Sequence, residues 1–429
     1  MEQVKERFLT ASTKTYVHLI IMILIEICFR WVPAFGQITP EGMAVMGVFF
    51  GTIYGWIFLG NMGLASLIGI LMMGTTMLFP AGPADSIMAA FGNVNTLKIL
   101  TCFGVAGVMS ASGTSDFLAK KIVGARVGKA SPILFVFLFM IAGLIIGPFV
   151  SFATVILLWD MWKAVCDQLD APRSYFHFGV ASIAIAVNVS FQCFPFVPMM
   201  VTLDGVWTGA TGLPPAPFIN YIAYTVLMAL VMFIIWIFLG KKVLKVQLAD
   251  LGNIDVESQK ATGYQKFVIV EVIAYVLLLC LASVKLGGVS TYLNGWGLLG
   301  FSILFLVVTL ALRPRGSQKS FHEIMSKAVN WDLIASMGMV MVLAGSLGQE
   351  SVGFGATLSS SLGFLEKMGP VPVTILLLLI PMVATQFLSN LAIAAIFIPI
   401  CFLVSSKMGL NAYAINVALY MLNSVGMGS

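Results

Sequence analysis

The sequence predicts an all-α, polytopic membrane protein, and three observations predict it. Of the 429 residues, 59% are hydrophobic and only 10% are charged. The mean hydropathy is +1.01. The apolar residues fall in long runs separated by short polar stretches. A soluble core of this length cannot hide so much apolar surface, and hydrocarbon admits only segments whose backbone groups are satisfied internally. The net charge of +5 takes its meaning from where the charges sit and does not indicate nucleic acid.

The six cysteines, Cys28, Cys102, Cys166, Cys193, Cys280 and Cys401, stand singly in apolar segments without a Cys-x-x-Cys pair. They predict neither a disulfide framework nor a zinc site. His18, His177 and His322 are equally isolated. Nothing resembles a metal-ligand pair or a nucleophile with its base, so the residues argue against an enzyme and name no cofactor.

Lys5, Arg7 and Lys14 precede the apolar run Tyr16 to Phe29 in the manner of a signal peptide. No small-x-small cleavage site closes the run and more spans follow, so residues 1–40 are read as an N-terminal transmembrane helix. Runs near 16–35, 42–60, 64–79 and 97–118 are the first four crossings. In the second, Gly47, Gly51 and Gly55 recur at helical spacing and form a smooth face for a neighbouring helix. A crossing at 175–205 carries Asn188, Ser190 and Gln192 and then Pro195 and Pro198, so it is expected to unwind partway. Another occupies about 220–239. The charged stretch 241–266 is the one sizeable linker, and beyond it come crossings at 267–284, 296–311, 331–348 and 412–429.

Two long apolar stretches are interrupted in the middle. Between 131 and 168 the interruption is Gly147, Pro148 and Ser151-Phe152-Ala153-Thr154, where glycine relaxes the chain and proline removes a donor. Between 371 and 405 it is a polar knot of Thr385, Gln386, Ser389 and Asn390. Each arm of this second stretch has room for about 15 to 17 residues, fewer than a full crossing needs, so one reading is a re-entrant hairpin. Two ordinary crossings joined tightly, or one helix whose Ser and Asn bond to a neighbour, are the others.

Ser110 to Phe117 and Ala344 to Phe354 each end a crossing in small residues and each precede a broken stretch. The order of elements in 41–240 is thus repeated in 267–429, which is the sequence pattern of an inverted-repeat transporter with two re-entrant hairpins and about ten crossings. With a cytoplasmic N-terminus, most of the 23 lysines and arginines fall on the cytoplasmic side, among them Lys120, Lys121, Lys241, Lys242, Arg313 and Arg315. This bias orients the chain as a multi-pass protein of the cell membrane and makes the two hairpins enter from opposite faces.

Thr39-Pro40-Glu41-Gly42, Gly51-Thr52-Ile53-Tyr54-Gly55-Trp56, Gly113-Thr114-Ser115-Asp116-Phe117 and above all Gln386-Phe387-Leu388-Ser389-Asn390 with Ala394-Ala395-Ile396-Phe397-Ile398-Pro399 resemble the divalent anion/sodium symporters, which carry dicarboxylates, citrate or sulfate. In that family each hairpin tip carries Ser-Asn-Thr and holds sodium and substrate carboxylates. The resemblance implies that role for Ser389 and Asn390 at the second tip and for Ser151 and Thr154 at the first. It also implies a homodimer. The sequence departs from the pattern at Leu391, Phe152 and Ala153, and a phenyl ring cannot coordinate sodium. It also ends at Asn423 to Ser429, so the final crossing the resemblance implies is missing.

Hydroxyls, amides and freed carbonyls suit sodium, and helix N-termini suit an anion. Ser389, Asn390, Thr385 and Gln386 are the candidates in one half; Ser151, Thr154, Asn188, Ser190 and Gln192 are those in the other. Sodium is assigned to Ser389, Asn390, Ser151 and Asn188. Each of these residues also reads as glue between helices. Glu26 lies four residues before Arg30 as a helical pair, and Glu271, Lys285 and Asp332 fall near span ends, so no intramembrane acid is expected and sodium coupling ranks above proton coupling. The function expected is secondary active transport of a small anion. The alternatives are a sodium/proton antiporter of the same architecture and a non-transporting structural or assembly protein.

Overall fold

The structure, a computed structural model, describes residues 2–123, 131–150, 152–249, 260–284, 287–312, 319–361, 368–385 and 390–423. All regular elements among them are helical. The first half contains α1 (Glu2–Cys28), α2 (Pro40–Phe58), α3 (Met62–Met73), α4 (Pro83–Phe91), α5 (Val94–Ala111), α6 (Thr114–Val123), α7 (Pro132–Val150), α8 (Phe152–Gln168), α9 (Arg173–Cys193), α10 (Pro198–Thr211) and α11 (Phe218–Lys242). Then follow α12 (Gly263–Ser283), α13 (Gly288–Leu312), α14 (Phe321–Ala328), α15 (Trp331–Leu347), α16 (Phe354–Ser361), α17 (Pro370–Ala384), α18 (Asn390–Lys407) and α19 (Ala412–Asn423). Among the described residues, seven helices are long and apolar enough to cross a membrane: α2, α5, α7, α9, α11, α12 and α13.

The helices gather into two compact units, each assembled from separate stretches of chain. One comprises Met1–Leu97, Thr202–Pro215 and Asn330–Ser429, the other Lys98–Val201 and Ala216–Val329. Both linear halves, 41–240 and 267–429, therefore contribute to both units.

In the first unit α2 packs on α1 and α3 through the glycine stripe read from the sequence. A side chain at Gly51 would collide with Glu26, and one at Gly55 would come within 2.6 Å of the Met22 sulfur and 2.8 Å of Ala65. Thr39 caps α2 by accepting from the Gly42 N–H at 3.0 Å, and its own hydroxyl donates to the Ser351 carbonyl at 2.6 Å. The expected crossing at 64–79 is corrected here. Helix α3 has 12 residues, about 18 Å of helix, too short to span. It stops at Gly74, where a side chain would collide with Pro83, and the chain turns into α4 with that proline near its start.

In the second unit the centre is aromatic. Trp162 of α8 is fully buried, and its ring lies 5.0 Å from Phe139, 6.1 Å from Phe135 and 5.1 Å from Tyr175. Its indole N–H donates to the Phe176 carbonyl at 3.0 Å. Phe139 and Trp162 lie on opposite sides of residue 151; in a continuous helix they would be about 35 Å apart. Their contact therefore shows that α7 and α8 fold back on each other.

The unit depends on that tryptophan. Trp162→Ala is expected to cost about 3–5 kcal/mol by leaving a cavity, whereas Ile234→Ala on the exposed face of α11 should stay within about 0.5 kcal/mol. Thermal unfolding in detergent, followed by circular dichroism, checks both.

Candidate functional site

The α7–α8 hairpin is held against α9 in a fixed register. Tyr175 donates to the Pro132 carbonyl across 43 residues at 2.7 Å, Gly143 faces Ala186 and Val187, and Gly147 faces Ser190 so closely that a side chain there would collide with the serine hydroxyl. The nearly constant offset makes α7 and α9 parallel. On the return arm Trp162 bonds the carbonyl of Phe176 and Trp159 that of Val180 at 3.1 Å, so α8 runs antiparallel to α9. Both registers carry the hairpin tip to the last turn and a half of α9, Asn188 to Cys193.

There α9 stops. Phe194 is extended, with φ −123° and ψ 127°, and helix resumes only at Pro198. Pro195 and Pro198 lack the N–H groups that would continue the ladder, so carbonyls at the end of α9 are freed. Two of them are taken up by α11: Gln192 accepts from the Tyr221 hydroxyl at 2.5 Å and Cys193 from the Thr225 hydroxyl at 2.7 Å. The break is filled by Phe196, whose ring lies 5.5 Å from Phe149 of the hairpin, 6.3 Å from Phe218 and 5.8 Å from Tyr275. The expected unwinding of the 175–205 crossing is thus a break of four residues.

Among the first-half candidates, Ser190 and Gln192 stand at this junction. Ser190 donates back to the Val187 carbonyl at 2.6 Å, and Asn188 is half-buried one turn earlier. Thr154, in the first turn of α8, is fully buried, and its hydroxyl has no hydrogen-bond partner among the described residues. Ser151 lies outside the described residues, as do Gln386 and Ser389 of the second half. Asn390 opens α18, and Thr385, buried, caps the end of α17.

The first unit holds a polar cluster that the sequence reading passed over. Asp204 on α10 accepts from the Tyr413 hydroxyl of α19 at 2.7 Å. The Trp207 ring stands edge-on to Phe402 of α18 at 5.5 Å and to Tyr413 at 5.2 Å. The Trp207 indole N–H, and the Ser405 hydroxyl and Asn416 amide oxygen one turn along α18 and α19, are buried without partners among the described residues. An acid inside the apolar run Pro198 to Trp207 was the available signal.

Two further acids, which the sequence places near span ends, are buried in the protein. Glu26, fully buried, accepts from Thr52 of α2 at 3.4 Å, and its predicted partner Arg30 donates instead to Thr75 at 2.9 Å. Gly51 leaves the room that Glu26 occupies, which pulls the carboxyl toward α2 and away from its helical neighbour. Glu271 of α12 is buried against Thr309 of α13 at 2.8 Å.

No protein-family model matches the chain, and no curated protein matches it. Its fold is similar to that in the crystal structure of the Alcanivorax borkumensis YdaH transporter, with 15% sequence identity and a TM-score of 0.56 over 82% of this chain and 78% of that one. The chain therefore has the fold of a membrane transporter. At that identity the likeness carries the fold, and neither the divalent anion/sodium family nor a substrate follows from it.

The two threonines beside the junction separate structural from spare hydroxyls. Thr225→Val should destabilise the protein by about 1–3 kcal/mol, because a buried carbonyl at the break loses its donor. Thr154→Val should leave thermal stability unchanged or raise it, since its hydroxyl has no partner among the described residues. Melting of both variants in detergent reads the contrast.

Proposed function

We propose that the protein is a secondary active transporter of a small anion of the dicarboxylate, citrate or sulfate type, coupled to sodium and alternating access about the two hairpin tips. The observation that carries this reading is the fold-back of α7 on α8 with its tip level with the broken end of α9. Interrupted helices of this kind are how transporters present helix ends and freed backbone groups to a substrate. The likeness to a solved transporter supports transport as such.

In this reading Ser389, Asn390, Ser151 and Thr154 contact the substrate, and Ser389, Asn390, Ser151 and Asn188 hold sodium. The N-terminal turns of α8 and α18 supply unpaired N–H groups to the anion. Thr154 supports its own assignment: a buried hydroxyl without a partner costs stability, and a ligand that accepts from it removes that cost. The carbonyls of Gln192 and Cys193 already hold one donor each, so sodium relies on side chains more than on the end of α9.

Uptake of labelled succinate, citrate and sulfate into proteoliposomes, with and without an inward sodium gradient, tests the proposal. At least one anion is expected to accumulate with sodium, and Asn390→Ala to abolish that uptake. Thr154→Val should lower it about tenfold, the worth of one hydrogen bond to a charged ligand, without loss of fold. Sodium-driven pH change without anion uptake would instead establish the antiporter, and no sodium-dependent flux of any kind would leave the non-transporting alternative.

A further inference from the structure

Glu271 lies outside the proposed substrate site, in the helix pair α12–α13, where one of its carboxyl oxygens is buried without a hydrogen-bond partner among the described residues. One oxygen lies 2.8 Å from the Thr309 hydroxyl. That hydroxyl also lies 3.0 Å from the carbonyl of Phe305, one turn back on its own helix. A threonine hydroxyl has one hydrogen, and a carbonyl can only accept. If Glu271 were charged, Thr309 would be its one hydrogen-bonding residue among the described residues, and the second carboxylate oxygen would be buried without a partner among them.

Among the described residues, no cation pairs with that charge. The charged residues on Glu271's own helix and on the helices packed against it are Lys266 of α12, Asp116, Lys120 and Lys121 of α6, and Lys241 and Lys242 of α11; α13 carries none. The neighbouring titratable groups are otherwise engaged: Tyr275 bonds Ser302 at 2.9 Å, Tyr221 bonds Gln192, and the Cys102 thiol sits against Ser302. Thr309 is the hydrogen-bond partner of Glu271 among the described residues. An ionised carboxylate left so costs far more than a neutral acid with one unpaired carbonyl oxygen.

We propose that Glu271 is a proton-binding site: a carboxylic acid whose O–H donates to Thr309, while the Thr309 O–H donates to Phe305. Every hydrogen then has one acceptor. Beside it lies a cleft of about 250 Å³ lined by Phe267, Ala274, Leu278, Phe301, Phe305 and Glu271 itself, an apolar approach to the acid. Release of the proton would strand a charge in that lining, so it is tied to an opening of the α12–α13 pair to water.

Infrared difference spectra of the full chain in lipid nanodiscs at neutral pH, wild type against Glu271→Gln, test the proposal without any transport assay. The expected result is a carboxylic-acid carbonyl band in the wild type that the variant loses, with the contribution of Glu26 cancelling. Identical spectra in that region would overturn it. If the variant fails to fold, labelling of the wild-type chain by dicyclohexylcarbodiimide decides. The acid adds across one C=N bond, its proton going to nitrogen, and the acyl group then shifts to nitrogen with no leaving group. An N-acylurea mapped to Glu271 by mass spectrometry supports the site, and its absence at Glu271 overturns it.

Discussion

A helix that breaks inside an apolar protein leaves carbonyl and amide groups that must find partners, and that requirement governs the second unit. At the end of α9 the prolines free the carbonyls of Gln192 and Cys193, and Tyr221 and Thr225 of α11 meet them. Phe196 fills the gap and ties it to Phe149 of the hairpin. The break is therefore a built feature with its own donors and its own packing. The α7–α8 hairpin is aligned to it by two glycines that let α7 approach α9 and by two indole N–H groups that pin α8.

With the backbone so closely accounted for, the buried side-chain atoms without a partner among the described residues stand out. In a protein this apolar a buried donor or acceptor left unpaired costs about 1–3 kcal/mol, and among the described residues few are left. Thr154 lies at the hairpin, Glu271 between α12 and α13, Glu26 between α1 and α2, and Trp207, Ser405 and Asn416 around the Asp204–Tyr413 pair. Each is a place where the fold forgoes stability that an apolar residue would supply.

Much of the fold was legible because hydrocarbon enforces simple rules. Run length gave the long helices, Pro195 and Pro198 announced the break after α9, and the Gly47–Gly51–Gly55 stripe met α1 as spacing required, whereas Gly147 and Pro148, read as part of an interruption, lie inside α7. What escaped notice was decided by neighbours far away in sequence. Arg30 lies one helical turn from Glu26 yet reaches Thr75, because Gly51 opens space for the carboxyl on the other side. Glu271 is eight residues into α12, and only the packing of α13 shows that it is enclosed. The run at 64–79 looked long enough to cross until Gly74 met Pro83. Of the candidate site, Ser190 and Gln192 are brought to the hairpin, while Ser151 and Ser389 lie outside the described residues.

The arms α7 and α8 fold back on each other, so that the end of α7 lies beside the end of α9. Spin labels at Ser131→Cys and Lys163→Cys, in a chain whose six native cysteines are replaced, measure it directly by pulsed dipolar spectroscopy. Adjacent antiparallel arms place the labels about 10–20 Å apart once label arms are included. A distance near 48 Å, that of one continuous helix, would contradict the account.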